Sequence, residues 1–249
     1  MIPKRTEVWR SSFLAQDVQV ARWGEHGAPV LLFPTAGGDA EEVERFRMIA
    51  ALSPLIAADR LQVFSCDSVP GQCWVSEDFT ASHCAWVQNR FDEFLHQELA
   101  PYIRHLSAPN ASNGSGIVTA GASLGAFFAL AAVCRHPDTF GHAVCLSGKY
   151  DLEEFLDGEP MTLDFYYSSP LHFLPRLADE AVLESLRRRF VQFVTGRGAW
   201  ERPQYAREVA GVLAAKGVPH KIDDWGPRWD HDWPSWRRAL PHYLDQLTR

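Results

Sequence analysis

Ser123 is a hydroxyl held between two glycines, in the run Gly121-Ala122-Ser123-Leu124-Gly125. Upstream, Gly116-Ile117-Val118-Thr119-Ala120 has the apolar character of a short buried strand. Downstream, Leu124 to Arg135 favours a helix, with small residues at Ala126, Ala129 and Ala132, until His136-Pro137 stops it. A G-x-S-x-G at such a strand-to-helix turn presents the serine as a nucleophile, at the carboxyl end of the strand and the amino end of the helix. The turn is tight, and a Cβ two residues to either side would collide with neighbouring backbone. Glycine at 121 and 125 avoids that collision.

A serine alcohol is a weak nucleophile until a base takes its proton and a carboxylate fixes that base. The motif resembles the nucleophile elbow of α/β-hydrolases, in which the chain order is nucleophile, acid, histidine. Six histidines follow Ser123, at 136, 142, 172, 220, 231 and 242. His136 and His142 fall beyond the far end of the nucleophile helix. His172 precedes the expected acid, His220 starts a strand and His242 lies inside the last helix. His231 alone occupies a loop between the last strand and the last helix, in Trp229-Asp230-His231-Asp232-Trp233-Pro234, where Asp232 suits a helix cap and Pro234 a first turn. For the acid, the loop Thr195-Gly196-Arg197-Gly198-Ala199-Trp200-Glu201 follows a strand-like run, and Glu201 is its only carboxylate; Asp224 is the next candidate.

Acyl transfer also needs two backbone N–H groups aimed at the developing oxyanion. One is expected from Leu124. The other is expected from Pro34-Thr35-Ala36-Gly37-Gly38; Pro34 has no N–H, which leaves Thr35 or Ala36.

The elements that must position these groups alternate. Strand-like runs fall at 18–23, 29–33, 61–65, 116–120, 143–147, 190–194 and 220–223, the first two read as a hairpin across Gly24 to Gly27. Helical runs fall at 39–52, 82–105, 124–135, 179–188, 203–216 and 233–247, and Asn110 to Gly114 reads as a turn. Nearly continuous apolar strands separated by helices predict an α/β fold, a mostly parallel central sheet with helices on both faces, in one domain spanning 1–249. Such sheets collect their chemistry beyond the carboxyl ends of the strands.

With 249 residues, 46% hydrophobic and 22% charged, the chain suits a single globular core. A net charge of −7 without a sustained basic run argues against a nucleic-acid partner. No apolar stretch reaches the roughly 20 residues of a membrane span, and the first ten residues lack the apolar centre of a secretory signal. A cytoplasmic location is expected, with Cys66, Cys73, Cys84, Cys134 and Cys145 reduced because they are odd in number and show no paired spacing. The sequons at Asn110 and Asn113 matter only if the chain is exported. No metal is expected, since no ligand spacing appears, and a serine triad needs no cofactor.

Taken together, several segments resemble the esterase D-like group of α/β-hydrolases, which includes mycolyltransferases and enterochelin esterases. They are Phe33-Pro34-Thr35, Gly121 to Gly125, His136-Pro137-Asp138-Thr139-Phe140, Leu146-Ser147-Gly148-Lys149-Tyr150-Asp151, Thr195 to Glu201, and His231-Asp232-Trp233 with Trp236. The resemblance runs from about residue 29 to 244 and implies an α/β-hydrolase fold with Glu201, after its Gly-rich loop, as the acid. Two departures stand out: Leu124-Gly125-Ala126 replaces the Met-Gly-Gly of many relatives, and the stretch near Phe33 lacks their Asp-Gly.

The expected activity is hydrolysis of a small-molecule carboxylic ester by a Ser123-His231-Glu201 triad through an acyl-enzyme. An acyltransferase with the same triad and a silent, hydrolase-shaped binding module are the rivals. Residues 152–178 either cap an apolar acyl pocket or pack on the helices of the sheet. Trp74, Phe165, Tyr166 and Trp229 are the candidate substrate contacts.

Overall fold

Burial alternates along β3 (Ala28–Phe33): Leu31 and Phe33 enter one hydrophobic core, Val30 and Leu32 the other. A strand buried on both sides requires helices on both faces. The computed structural model describes residues 2–107 and 116–248. Its sheet comprises β1 (Lys4–Arg10), β2 (Asp17–Trp23), β3, β4 (Leu61–Cys66), β5 (Ile117–Ala122), β6 (Phe140–Leu146), β7 (Phe190–Thr195) and β8 (His220–Asp224). The spatial order is β1-β2-β4-β3-β5-β6-β7-β8. β1 and β2 run antiparallel; every pairing from β4 to β8 is parallel.

On one face lie α1 (Glu42–Arg45), α2 (Met48–Ala57) and α11 (Trp233–Leu247), closing a core around Val30, Leu32, Ala120 and Leu240. The other face carries α3 (Val69–Trp74), α4 (Ala81–Phe94), α5 (Ala100–Ser107), α6 (Leu124–Arg135), α9 (Glu180–Arg187) and α10 (Pro203–Ala215) around Phe33, Phe91, Phe127 and Phe193. Between β6 and α9, the short helices α7 (Leu163–Ser168) and α8 (Pro170–Phe173) pack toward α4 and α6.

Three expectations need correction. β2 and β3 form no hairpin: β4 lies between them, antiparallel to β2 and parallel to β3. The loop over Gly24 to Gly27 is a crossover, and Gly27 sits tight against the backbone of Asp59 and Arg60. The helix expected over 39–52 breaks at Arg47, whose φ of 66° ends α1 and starts α2. The long helix expected over 82–105 is interrupted by a π-turn at Leu95–Leu99. β1 was not anticipated, because it is an edge strand whose residues are exposed apart from half-buried Trp9, so no apolar face marks it.

The turn at Asn110 to Gly114 and both sequons lie outside the described residues. Among the described residues no helix is long and apolar enough to cross a membrane, and no group of three or more His, Cys, Asp or Glu is placed to hold a metal ion.

Candidate active site

Parallel pairing brings the critical loops to one edge of the sheet. Phe33 pairs with Gly121, Ala122 with Leu146, Leu146 with Val194, and Thr195 with Asp224. The segments after β3, β5, β6, β7 and β8 therefore leave the same carboxyl edge, and they contain Thr35, Ser123, Ser147, Glu201 and His231.

Ser123 has φ 56° and ψ −122°, a conformation an L-residue adopts at a cost of about 1–3 kcal/mol. It persists because the surroundings fix both ends: Ser123 N–H donates to Leu146 C=O (3.0 Å) and its own C=O accepts from Lys149 N–H (3.2 Å). A Cβ on Gly121 would fall within 3.0 Å of Gly125 backbone, and one on Gly125 within 3.0 Å of the Pro34 and Phe33 carbonyl oxygens. The two glycines thus allow β5, α6 and the loop after β3 to meet. Ser147 and Trp200, in the loops after β6 and β7, also have positive φ (47° and 63°). Backbone strain recurs around one edge, as it does at functional sites.

The loops that carry Glu201 and His231 are bound to each other. Gly198 N–H donates to Trp229 C=O (2.9 Å), His231 N–H to Ala199 C=O (3.0 Å), and Ala199 N–H to Asp230 Oδ1 (2.7 Å). A Cβ at Gly196 or Gly198 would strike Trp229, so these glycines permit the close approach of the two loops. Asp232 caps α11 by accepting from Ser235 N–H (3.1 Å), with Pro234 in the first turn.

Glu201 is buried and doubly tethered: Ser147 Oγ–H donates to its Oε1 and Thr195 Oγ1–H to its Oε2 (3.0 Å). Ser147 Oγ in turn accepts from Trp236 Nε1–H (3.0 Å), and the Trp236 ring lies edge-on to His231 at 5.2 Å. Burial pushes the His231 pKa below the usual imidazole value, opposed by the negative charges of Glu201 and Asp232. Asp224, the other candidate acid, is exposed and engaged with Arg197 (3.0 Å) and Gly226 N–H (2.8 Å). Of the two candidate acids, Glu201 and not Asp224 is the one whose charge acts on His231.

The loop after β3 distinguishes its two candidate donors. Thr35 gives its N–H to Glu42 Oε2 (2.7 Å) and its hydroxyl to Oε1 (2.7 Å). Its N–H is therefore occupied, while that of Ala36 has no hydrogen-bond acceptor among the described residues. Leu124 begins α6, where first-turn N–H groups have no intrahelical acceptor. α3 supports this loop from behind: Gly71 abuts the Ala36 carbonyl, and Gln72 Nε2 and Ser68 N–H both donate to Gly38 C=O (3.1 Å each).

The expected substrate contacts are more scattered. Trp74 is buried, donates to Gln88 Oε1 (2.8 Å) and stacks on Phe155. Phe165 is fully buried against Trp74 and His172. Tyr166 is half-buried beside Tyr167, and Trp229 packs at right angles to Trp225. Sequence reasoning assigned no role to Ser147, Lys149 or Trp200. The Lys149 ammonium lies over the Phe155 and Tyr205 rings and pairs with Glu154 (2.7 Å); Trp200, beside Glu201, is 80% exposed. The only signal for Ser147 and Lys149 was their place in the family-like segment 146–151.

A family model described as "Putative esterase" matches residues 83–247. No curated protein matches the chain. Among solved structures, a ferulic acid esterase is similar at 17% identity and TM-score 0.73, over 100% of this chain and 99% of that one. S-formylglutathione hydrolase (FrmB) from Staphylococcus aureus is similar at 15% and 0.74, over 100% of each chain. MPT51 (FbpC1) of Mycobacterium tuberculosis is similar at 18% and 0.70, over 99% and 98%. At these identities the structures establish a shared α/β-hydrolase fold.

Proposed function

The chain belongs to the esterase family and is a carboxylic ester hydrolase, and on that premise we propose that it works through Ser123, His231 and Glu201 by way of an acyl-enzyme. Ser123 Oγ attacks the ester carbonyl carbon as His231 takes its proton. The tetrahedral intermediate collapses, and the alcohol leaves with that proton. Water then resolves the acyl-enzyme: His231 takes a proton from water as its oxygen adds to the acyl carbon, and returns that proton to Ser123 Oγ as the carboxylic acid departs.

The observation that carries this reading is the strained turn at Ser123, set on the same sheet edge as a tethered carboxylate whose charge acts on a half-buried histidine. Such strain is retained where a reactive side chain has to be held out of its relaxed conformation. Burial keeps His231 neutral near pH 7, the form a general base needs, and Glu201 stabilises its cation once formed. The Leu124 and Ala36 N–H groups supply the oxyanion hole, with Thr35 holding the loop through Glu42.

The chain acts as one domain. Residues 152–178 form a small cap, with its helices α7 and α8 packed on α4 and α6. The substrate is a small-molecule ester.

Fluorophosphonate labelling with peptide mapping tests the nucleophile. The expected result is a single adduct on Ser123, absent from Ser123→Ala, with hydrolysis of simple esters lost in the same variant. An adduct elsewhere, or none on folded protein, overturns the assignment.

A further inference from the structure

Cys73, in the last turn of α3, and Cys84, in the first turn of α4, are both buried, and their Sγ atoms lie 2.7 Å apart. Carbon-sized atoms in ordinary contact stay about 3.5–4.0 Å apart, and sulfur is larger. A disulfide holds its sulfurs at about 2.05 Å. The pair therefore sits between contact and bond. Cys66, Cys134 and Cys145 are also buried, but no sulfur contact joins them. Spacing along the chain gave no hint of a pair, because the eleven-residue separation joins two different helices.

We propose that Cys73 and Cys84 form a disulfide bond that staples α3 to α4. A low-molecular-weight disulfide such as oxidised glutathione suffices as oxidant. One cysteine thiolate attacks it and releases a glutathione thiolate, leaving a mixed disulfide. The second cysteine thiolate then attacks the protein sulfur of that mixed disulfide and releases the other glutathione. Two cysteine protons end on the two released thiolates, and the electron pair lost by the cysteines reduces the small disulfide. Burial pushes both thiols above the ordinary cysteine value, so exchange proceeds during folding or transient opening of α3.

The position gives the bond a consequence. α3 backs the loop after β3, through Gly71 against Ala36 and through Ser68 and Gln72 to Gly38. A covalent tie to α4 holds that backing in place, whatever chemistry the loop serves.

The test is to refold the intact protein in oxidised glutathione or in excess dithiothreitol, quench with acid, unfold, alkylate with N-ethylmaleimide and weigh. The oxidised sample is expected to take up three maleimides and the reduced sample five, one for each cysteine of the chain. Digestion at Glu77, which lies between the two cysteines, then yields one cross-linked pair joining Cys73 to Cys84. The oxidised form is expected to melt on the order of 5–10 °C higher, from the loop-closure entropy of about twelve residues. Cys84→Ser is expected to bind four maleimides after reduction and to lose the difference in melting temperature. Five maleimides after oxidative refolding, a cross-link between other cysteines, or a melting difference that survives Cys84→Ser overturns the proposal.

Discussion

Removing the Ser147 hydroxyl separates the acid's position from its identity. Glu201 accepts hydrogen bonds from Ser147 and Thr195, and Ser147 also accepts from the buried Trp236 indole. A hydrogen bond to a charged group contributes about 1.5–3 kcal/mol, and a buried donor left unpaired costs about 1–3 kcal/mol. Ser147→Ala loses the first and creates the second, so a destabilisation of about 3 kcal/mol is expected. For a chain of this size that is roughly 6–12 °C in Tm. Only the carboxylate's share reaches the reaction. If the aim of Glu201 at His231 relaxes by the free energy of that one bond, kcat falls roughly 10- to 100-fold. Ser147 is buried and hydrogen-bonded to Glu201, so KM is expected to stay within about twofold. Ser147→Gly makes the comparison sharper. It loses the same hydroxyl but relieves the φ of +47°, so it should melt above Ser147→Ala with the same reduced kcat. Steady-state hydrolysis of a chromogenic acetate ester and thermal unfolding give both numbers. A Ser147→Ala kcat within twofold of wild type, or a change confined to KM, refutes the reasoning.

Because burial lowers the His231 pKa from 6.5, the folded imidazole stays neutral down to a lower pH than a free one. The acid limb of kcat/KM is therefore expected below pH 6.5. Asp232→Asn, which keeps a helix cap but removes a charge that raises this pKa, should move the limb lower still; a limb above 6.5 contradicts the assignment. Gly125→Ala drives a Cβ against the Pro34 and Phe33 carbonyls and should cost about 1–3 kcal/mol with a marked loss of kcat. Gly211→Ala, in α10 with open space around it, should instead gain about 0.5–1 kcal/mol in unfolding measurements. Ala36→Pro deletes one proposed oxyanion donor, and kcat should fall about 10²- to 10³-fold in protein whose circular dichroism is unchanged.

The local chemistry of this chain was legible because it depends on neighbours in sequence. Strand-like runs marked seven of the eight strands, and His136-Pro137 marked the end of α6. The glycines at 121 and 125 mark a tight turn by their spacing alone. β1 escaped because an edge strand buries almost nothing, and pairing through its backbone leaves no pattern in side-chain type. The false hairpin arose for a related reason: two strands adjacent in sequence invite pairing, and only the placement of β4 between them excludes it.

What the sequence by itself determined was the tight turn at Ser123 and the alternating architecture, since each is written in spacing and local propensity. The tertiary structure alone buried Glu201 between two hydroxyl tethers and left Asp224 exposed beside Arg197. It alone occupied the Thr35 N–H with Glu42 and brought Ser147, Trp236 and the sulfurs of Cys73 and Cys84 to their partners. Those pairings join residues from separate strands and helices. Their distances follow from how the sheet packs its two layers, which no run of neighbouring residues encodes.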